Sequence, residues 1–225
     1  LHHFGLRIMT NTTAYTELET FTHRELFIKI WRSPRRVFRY MHQRGIDDFV
    51  QTLLLLAGIF NAFDRAIEKN LGDSMSLLSV IGFSVFGGAL LGWISYYLYA
   101  ALLSWTGKWI GGRASSKELV RVLAYGMLPA ITALVFLILQ IAIYGEAVFQ
   151  EDLDLTKGSS FDKVIYYTSV FCEIVLSIWS FVLILIGISE VQNVGLFKAF
   201  LNLILPIFIV LLPILLISVL YSAIV

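Results

Sequence analysis

Residues 122–145 read VLAYGMLPAITALVFLILQIAIYG, and not one of them carries a charge. An apolar α-helix needs roughly 20 residues to cross the hydrocarbon core of a bilayer. This stretch is long enough, and it is not isolated. Residues 74–107 and 199–225 are also uncharged, and between Lys163 and Glu190 the single charge is Glu173. Such runs exclude a soluble globular domain. Composition agrees, with 58% hydrophobic and 15% charged residues, where a soluble domain has about 45–50% and ~25%.

Working outward, the runs predict an all-α integral membrane protein with five spans, at about 46–67, 75–104, 119–145, 164–189 and 196–224. The first is the shortest. FVQTLLLLAGIFNAF, residues 49–63, lies between Asp48 and Asp64. Extended over 46–67 it crosses, with an acid at each interface. The second run is too short for two spans and long for one, which predicts a tilted helix or one reaching into the interface. The chain divides into a polar, basic region, 1–45, and a five-span membrane domain, 46–225.

Charge distribution tests that count, because lysine and arginine accumulate on the cytoplasmic side. Eight precede the first span. Lys108, Arg113, Lys117 and Arg121 follow the second, and Lys198 follows the fourth. The alternate loops hold Arg65 and Lys69, then Lys157 and Lys163. Thirteen cations on one side against four on the other place the N-terminus in the cytoplasm and the C-terminus outside. Met9 reads as a candidate start, with residues 1–8 upstream of it. No apolar segment before residue 45 suits a cleaved signal peptide. His2 and His3 lie in that leader and are not read as metal ligands. Residues 9–20 have few apolar anchors and are expected to be disordered.

The segment WRSPRRVFRYMHQRG, residues 31–45, interleaves arginine with aromatic rings, as nucleic-acid binders do. In a membrane chain the same arginines are a topology signal, so nucleic acid is not expected. Leu26, Phe27, Ile30 and Trp31 recur at helical spacing. Ser33-Pro34 reads as an N-cap followed by proline at the first helical position. The helix it starts places Val37, Phe38 and Met41 on one face and Arg35, Arg36 and Arg39 elsewhere. That split predicts an amphipathic helix lying in the interface, apolar side down. Trp31, Arg32, Arg35, Arg36 and Arg39, with Lys108, Arg113, Lys117 and Arg121, are the expected contacts for anionic headgroups or a protein partner.

Inside the membrane, polar and small residues carry the remaining signals. Glu173 falls mid-span, where an acid is expensive and is a functional hypothesis by default. It reads either as an ion-linked residue or as a structural hydrogen-bonding group. Ser84, Gly88 and Gly92 recur every four residues and form a ridge that lets another helix approach closely, within the chain or in a second copy. Pro129, Pro206 and Pro213 remove backbone donors and are expected to kink the third and fifth spans. Gln140 and Asn202 read as interhelical hydrogen bonds. The acidic loop over residues 146–163 lacks the ligand order of a calcium loop and reads as solvated. No HExxH, GxSxG or phosphate-binding loop is present, and all histidines lie within residues 2–42. An enzyme is not expected, nor any cofactor or metal, and the lone Cys172 forms no internal disulfide.

The loop WTGKWIGGRASSKELVRVLAYGMLPAI, residues 105–131, joins a Gly111-Gly112 turn to a capping-box pattern, Ser115 with Glu118. Trp105 and Trp109 read as interfacial anchors. ELVRVLAYGMLP, residues 118–129, resembles the inner loop and third span of the Yip family, the Ypt/Rab-interacting five-span membrane proteins. SIWSFVLILIGISEVQNVGLFKAF, residues 177–200, is similar to the end of that family's fourth span and the following turn. IWRSPRRVFRY, residues 30–40, is similar to the basic segment before the first span in prokaryotic members. The resemblance covers about residues 28–225. It implies the five-span, N-in topology that the charges predict. Eukaryotic members of the family bind prenylated Rab GTPases and one another, and carry a longer cytosolic N-terminal domain with an Asp-Leu-Tyr-Gly-Pro motif, which this sequence lacks. Rab binding is therefore not expected, and the resemblance implies a bacterial inner-membrane member. The function that follows is a non-enzymatic scaffold or adaptor that organises partners, copies of itself or membrane shape. The alternative is a small transporter or channel using Glu173.

Overall fold

The computed structural model describes residues 20–151 and 159–224. The expectations for the leader, for residues 9–19 and for the middle of the acidic loop lie outside those residues. Among the described residues the regular structure is entirely helical. Two short helices, α1 (His23–Lys29) and α2 (Pro34–Arg44), precede the first span, α3 (Val50–Glu68). The second span joins α4 (Leu77–Gly82), a π-helical turn over Phe83–Gly87, and α5 (Gly88–Trp109). The third is α6 (Ser116–Gly126) followed by α7 (Leu128–Tyr144). The fourth is α8 (Ser160–Gln192) and the fifth α9 (Leu196–Ile224). All five are long and apolar enough to cross a membrane.

Local chemistry accounts for the ends. Capping boxes start α1 at Thr22, α6 at Ser115 and α8 at Ser159, each with its acid three residues on. In each, one side chain satisfies an orphan backbone donor and the other returns the bond. Pro34 occupies the first turn of α2, where its missing N–H costs nothing. Gly45 ends α2 at φ +66°, a left-handed position that glycine takes without a Cβ clash. The second span continues past residue 104 to Trp109, so Trp105 and Trp109 sit on its last turn with ring centroids 5.1 Å apart. At 1.5 Å per residue α8, with 33 residues, is about 50 Å long. It exceeds a hydrocarbon core of about 30 Å and must tilt or project.

Packing joins α3 to α5 and α7 to α8 most extensively, with α6 between α3, α5 and α8. Three core clusters result, the third being Ala57, Met127 and Ala130 where α3 meets the break in the third span. The largest gathers 24 buried residues from α1, α2, α3, α6 and the adjoining ends of α5, α8 and α9. The second, at the other end, has six, including Phe63, Val80 and Phe149. α9 packs chiefly on α8 and α5 and leaves Phe208, Leu212, Leu216 and Leu220 exposed, as a lipid-facing helix does.

Proline acts differently in the third and fifth spans. The third breaks at Met127, between Gly126 and Leu128, with Pro129 in the first turn of α7. In an unbroken helix the Ala130 N–H would bond four residues back. Here it donates to Ser180 Oγ on α8 at 2.8 Å. α9, by contrast, is one continuous helix through Pro206 and Pro213. The expected kinks there do not interrupt it.

Candidate functional site

The basic segment folds onto the bundle. Val37, Phe38 and Met41 are buried in the larger core, against α8 and α6. This corrects the expectation that their face lies in lipid. The apolar stripe is real, but α6 and α8 cover it with protein. Trp31 is half-buried against the same core. α1 closes the cap from the side, where Phe27 stacks near both Phe49 and Tyr125. Lys29 lies over the Phe21 ring.

Charges tie this cap down. Arg39 Nε donates to Glu190 Oε1 at 2.6 Å, joining α2 to the end of α8. That carboxylate raises the Arg39 guanidinium above its ordinary value through the hydrogen bond and its charge. Arg121 is only 8% exposed. Its Nε donates to Asp47 Oδ1 at 2.6 Å and its Nη2 to the Gly45 carbonyl at 3.1 Å. Lys117 Nζ reaches the other Asp47 oxygen at 2.6 Å. The Arg121 hydrogen bond holds the Asp47 carboxyl below the usual aspartate value, against the opposing effect of desolvation. The Tyr125 hydroxyl donates to the Asp48 carbonyl at 2.7 Å. Two histidines complete the ring, His42 with Glu118 at 2.8 Å and His23 with Asp48 at 3.8 Å.

The nine cation and tryptophan positions expected to contact headgroups therefore separate. Arg121 is withdrawn into the protein and is not available to a ligand, because leaving its charge unpaired there would be costly. Arg39 and Lys117 are partly committed to Glu190 and Asp47. Arg36 is exposed and also engaged within the chain. Arg32, Arg35, Lys108 and Arg113 are exposed and enter none of the described ion pairs.

Beneath the cap lies a buried polar knot. Gln192 at the end of α8 accepts from the Ala114 N–H at 3.0 Å and donates to Asn202 Oδ1 at 3.0 Å. Asn202 donates to the Leu103 carbonyl at 3.1 Å and to Thr106 Oγ1 at 2.7 Å. Gly107 and Gly112 flank the amide so closely that a Cβ on either would overlap it. Asn202 is thus the interhelical link expected of it. Gln192, which ties the inner loop to two spans, went unnoticed because it sits in the polar run EVQN, which reads as a turn.

Within the spans, the ridge Ser84, Gly88, Gly92 meets a partner inside the chain. A Cβ on Gly92 would overlap Gly58 Cα, and one on Gly58 would overlap the Gly88 carbonyl. Only glycine allows this approach of α3 to α5. The ridge is occupied intramolecularly, so it gives no surface for self-association. Ser84 is fully buried in the π turn. Glu173 is half-buried and accepts from Gln140 Nε2 at 2.8 Å. Asp64, expected at an interface, lines the same cleft of about 380 Å³ between α3, α7 and α8. Among the described residues, no group of three or more histidines, cysteines and carboxylates suits a metal ion.

Five spans closed at one end by a folded basic segment define a multi-pass membrane protein. The Yip1 domain family model matches residues 28–217, from α1 into α9. The chain belongs to the Yip family. No curated protein and no solved structure gives a match to it.

Proposed function

We propose that this Yip protein is a non-enzymatic membrane scaffold of a bacterial inner membrane, which presents its basic end to an acidic partner in the cytoplasm. The supporting observation is the separation of the cations. Arg39, Lys117 and Arg121 hold the cap shut, while Arg32, Arg35, Lys108 and Arg113 stand exposed at the same end. Charges that serve folding are paired, and those left over form a surface. Exposed cations steer encounter with a negative partner and set its register. Photo-crosslinkers at positions 32, 35, 108 and 113 in native membranes should trap a discrete protein adduct. Probes at position 121 should not. Lipid adducts alone at all four surface positions would refute the scaffold reading.

A second reading rests on the cleft that Asp64 and Glu173 share with Gln140 nearby. Paired acids between helices suit a proton- or cation-linked transporter. In proteoliposomes, an ion flux abolished by Glu173→Gln would establish it, and an undiminished flux would remove it.

A further inference from the structure

Beside the glycine crossing, α3 and α5 enclose a second cleft of about 420 Å³, within the roughly 300–1,000 Å³ typical of ligand sites. It lies at the end of the bundle opposite the basic cap. Its walls are apolar, with Gly88, Leu91 and Phe83 among them. Phe83 and Leu91 are 58% and 59% exposed, so the cleft opens onto the lipid-facing surface. Asn61, Arg65 and Lys69, of α3 and its cap, recur every four residues along one stripe of its lining, and Ser95, Tyr96 and Tyr99 of α5 line it too. Asn61 is occupied, donating to Tyr96 at 2.6 Å. Arg65 and Lys69 are exposed, and neither forms a described ion pair. The neighbouring acids Asp64 and Glu68 do not line this cleft, although the field of Asp64 reaches Arg65.

An apolar cleft with two cations at its rim matches the two halves of a charged lipid. We infer that this cleft seats one anionic phospholipid, its acyl chain against Leu91 and Phe83 and its phosphate at Arg65 and Lys69. The guanidinium fork takes phosphate oxygens in a bidentate manner, and lysine adds a point charge. A zwitterionic lipid brings its own cation to the same rim and is disfavoured. This site is separate from the exposed arginines at the other end and does not depend on the scaffold reading.

Native mass spectrometry of the full-length chain tests it. The protein, in mild detergent, is incubated with equal amounts of phosphatidylglycerol and phosphatidylcholine of identical chains. One phosphatidylglycerol should be retained preferentially. Arg65→Gln with Lys69→Gln should reduce that preference by roughly 30-fold, the effect of two charges near a lipid surface. Arg24→Gln with Arg44→Gln, two exposed cations at the other end, should leave it intact. Leu91→Trp, which fills the cleft and keeps both cations, should also lower retention. Excess inorganic phosphate should not compete, since it lacks the chain. Equal retention of the two lipids, an unchanged preference in the Arg65/Lys69 variant, or displacement by phosphate would overturn the proposal. So would full retention in Leu91→Trp. Helix content and elution position of each variant confirm that the fold is kept.

Discussion

The two ends of the bundle are built by opposite means. The basic end is closed by side chains. Its core holds 24 buried residues, its amides are mutually hydrogen-bonded, and its ion pairs join segments far apart in sequence. The other end is closed by backbone. Glycines bring α3 against α5, the core cluster has six residues, and the cleft of Arg65 and Lys69 is left open on the lipid-facing side. An end that faces water can use charge and amide networks. Deep in the bilayer the cheap contact is close packing of small residues, since lipid tails offer no hydrophobic drive between helices.

The contrast can be broken by substitution. The largest effect belongs to the backbone contact. Gly58→Leu should cost more than about 3 kcal/mol, because the displaced atoms are main chain rather than a mobile side-chain tip. Size-exclusion chromatography should then give aggregate in place of a single species. Gln192→Ala should come next, at about 2–4 kcal/mol, since it strands the Ala114 N–H and part of Asn202 in the protein interior. Thermal unfolding would register it, and a midpoint equal to wild type would show the knot to be dispensable.

Asp47→Asn should cost less, about 1–2 kcal/mol, because that carboxylate is partly solvated. Its pH dependence has a definite sign. The folded-state value is held below the ordinary 3.8, so the stabilisation is complete above that pH. It is lost as pH falls through the lower folded value. Hydrogen exchange over residues 34–49 should rise in that acidic window in the wild type and lose that dependence in Asp47→Asn. Smallest is Ser180→Ala, which removes the acceptor of the Ala130 N–H and should cost about 1 kcal/mol. An effect larger than that of Gln192→Ala would reverse the ranking of these two polar contacts.

Much of this could be read from residue order alone. Uncharged runs announce the spans, the proline at 129 marks the break in the third, and Ser115 with Glu118 marks a helix start. Properties of one segment suffice for such features. The pairings are different. Asp47 and Asp48 are adjacent acids, and which of them meets Arg121 depends on how α2 settles on α6. Gly58 is a single glycine in a leucine-rich run, and its significance appears only when α5 lies against it. The apolar face of α2 was legible as a stripe, but periodicity does not say whether lipid or protein covers it.

The makeup of α3 bears on how the chain enters the bilayer in the first place. It is the least apolar of the five candidate spans, and it carries Gln51, Asn61, Asp64 and Arg65. Its amides find their partners on α5, Gln51 with Tyr97 and Asn61 with Tyr96. Insertion by the translocon is graded by each segment's polarity, so α3 leaving the ribosome alone is a poor substrate. Paired with α5 across the glycines it becomes a helical hairpin whose two amides are already satisfied. A lesion at Gly88 or Gly92 should therefore appear during biogenesis, as a first helix left outside the membrane with its flanking charges misplaced.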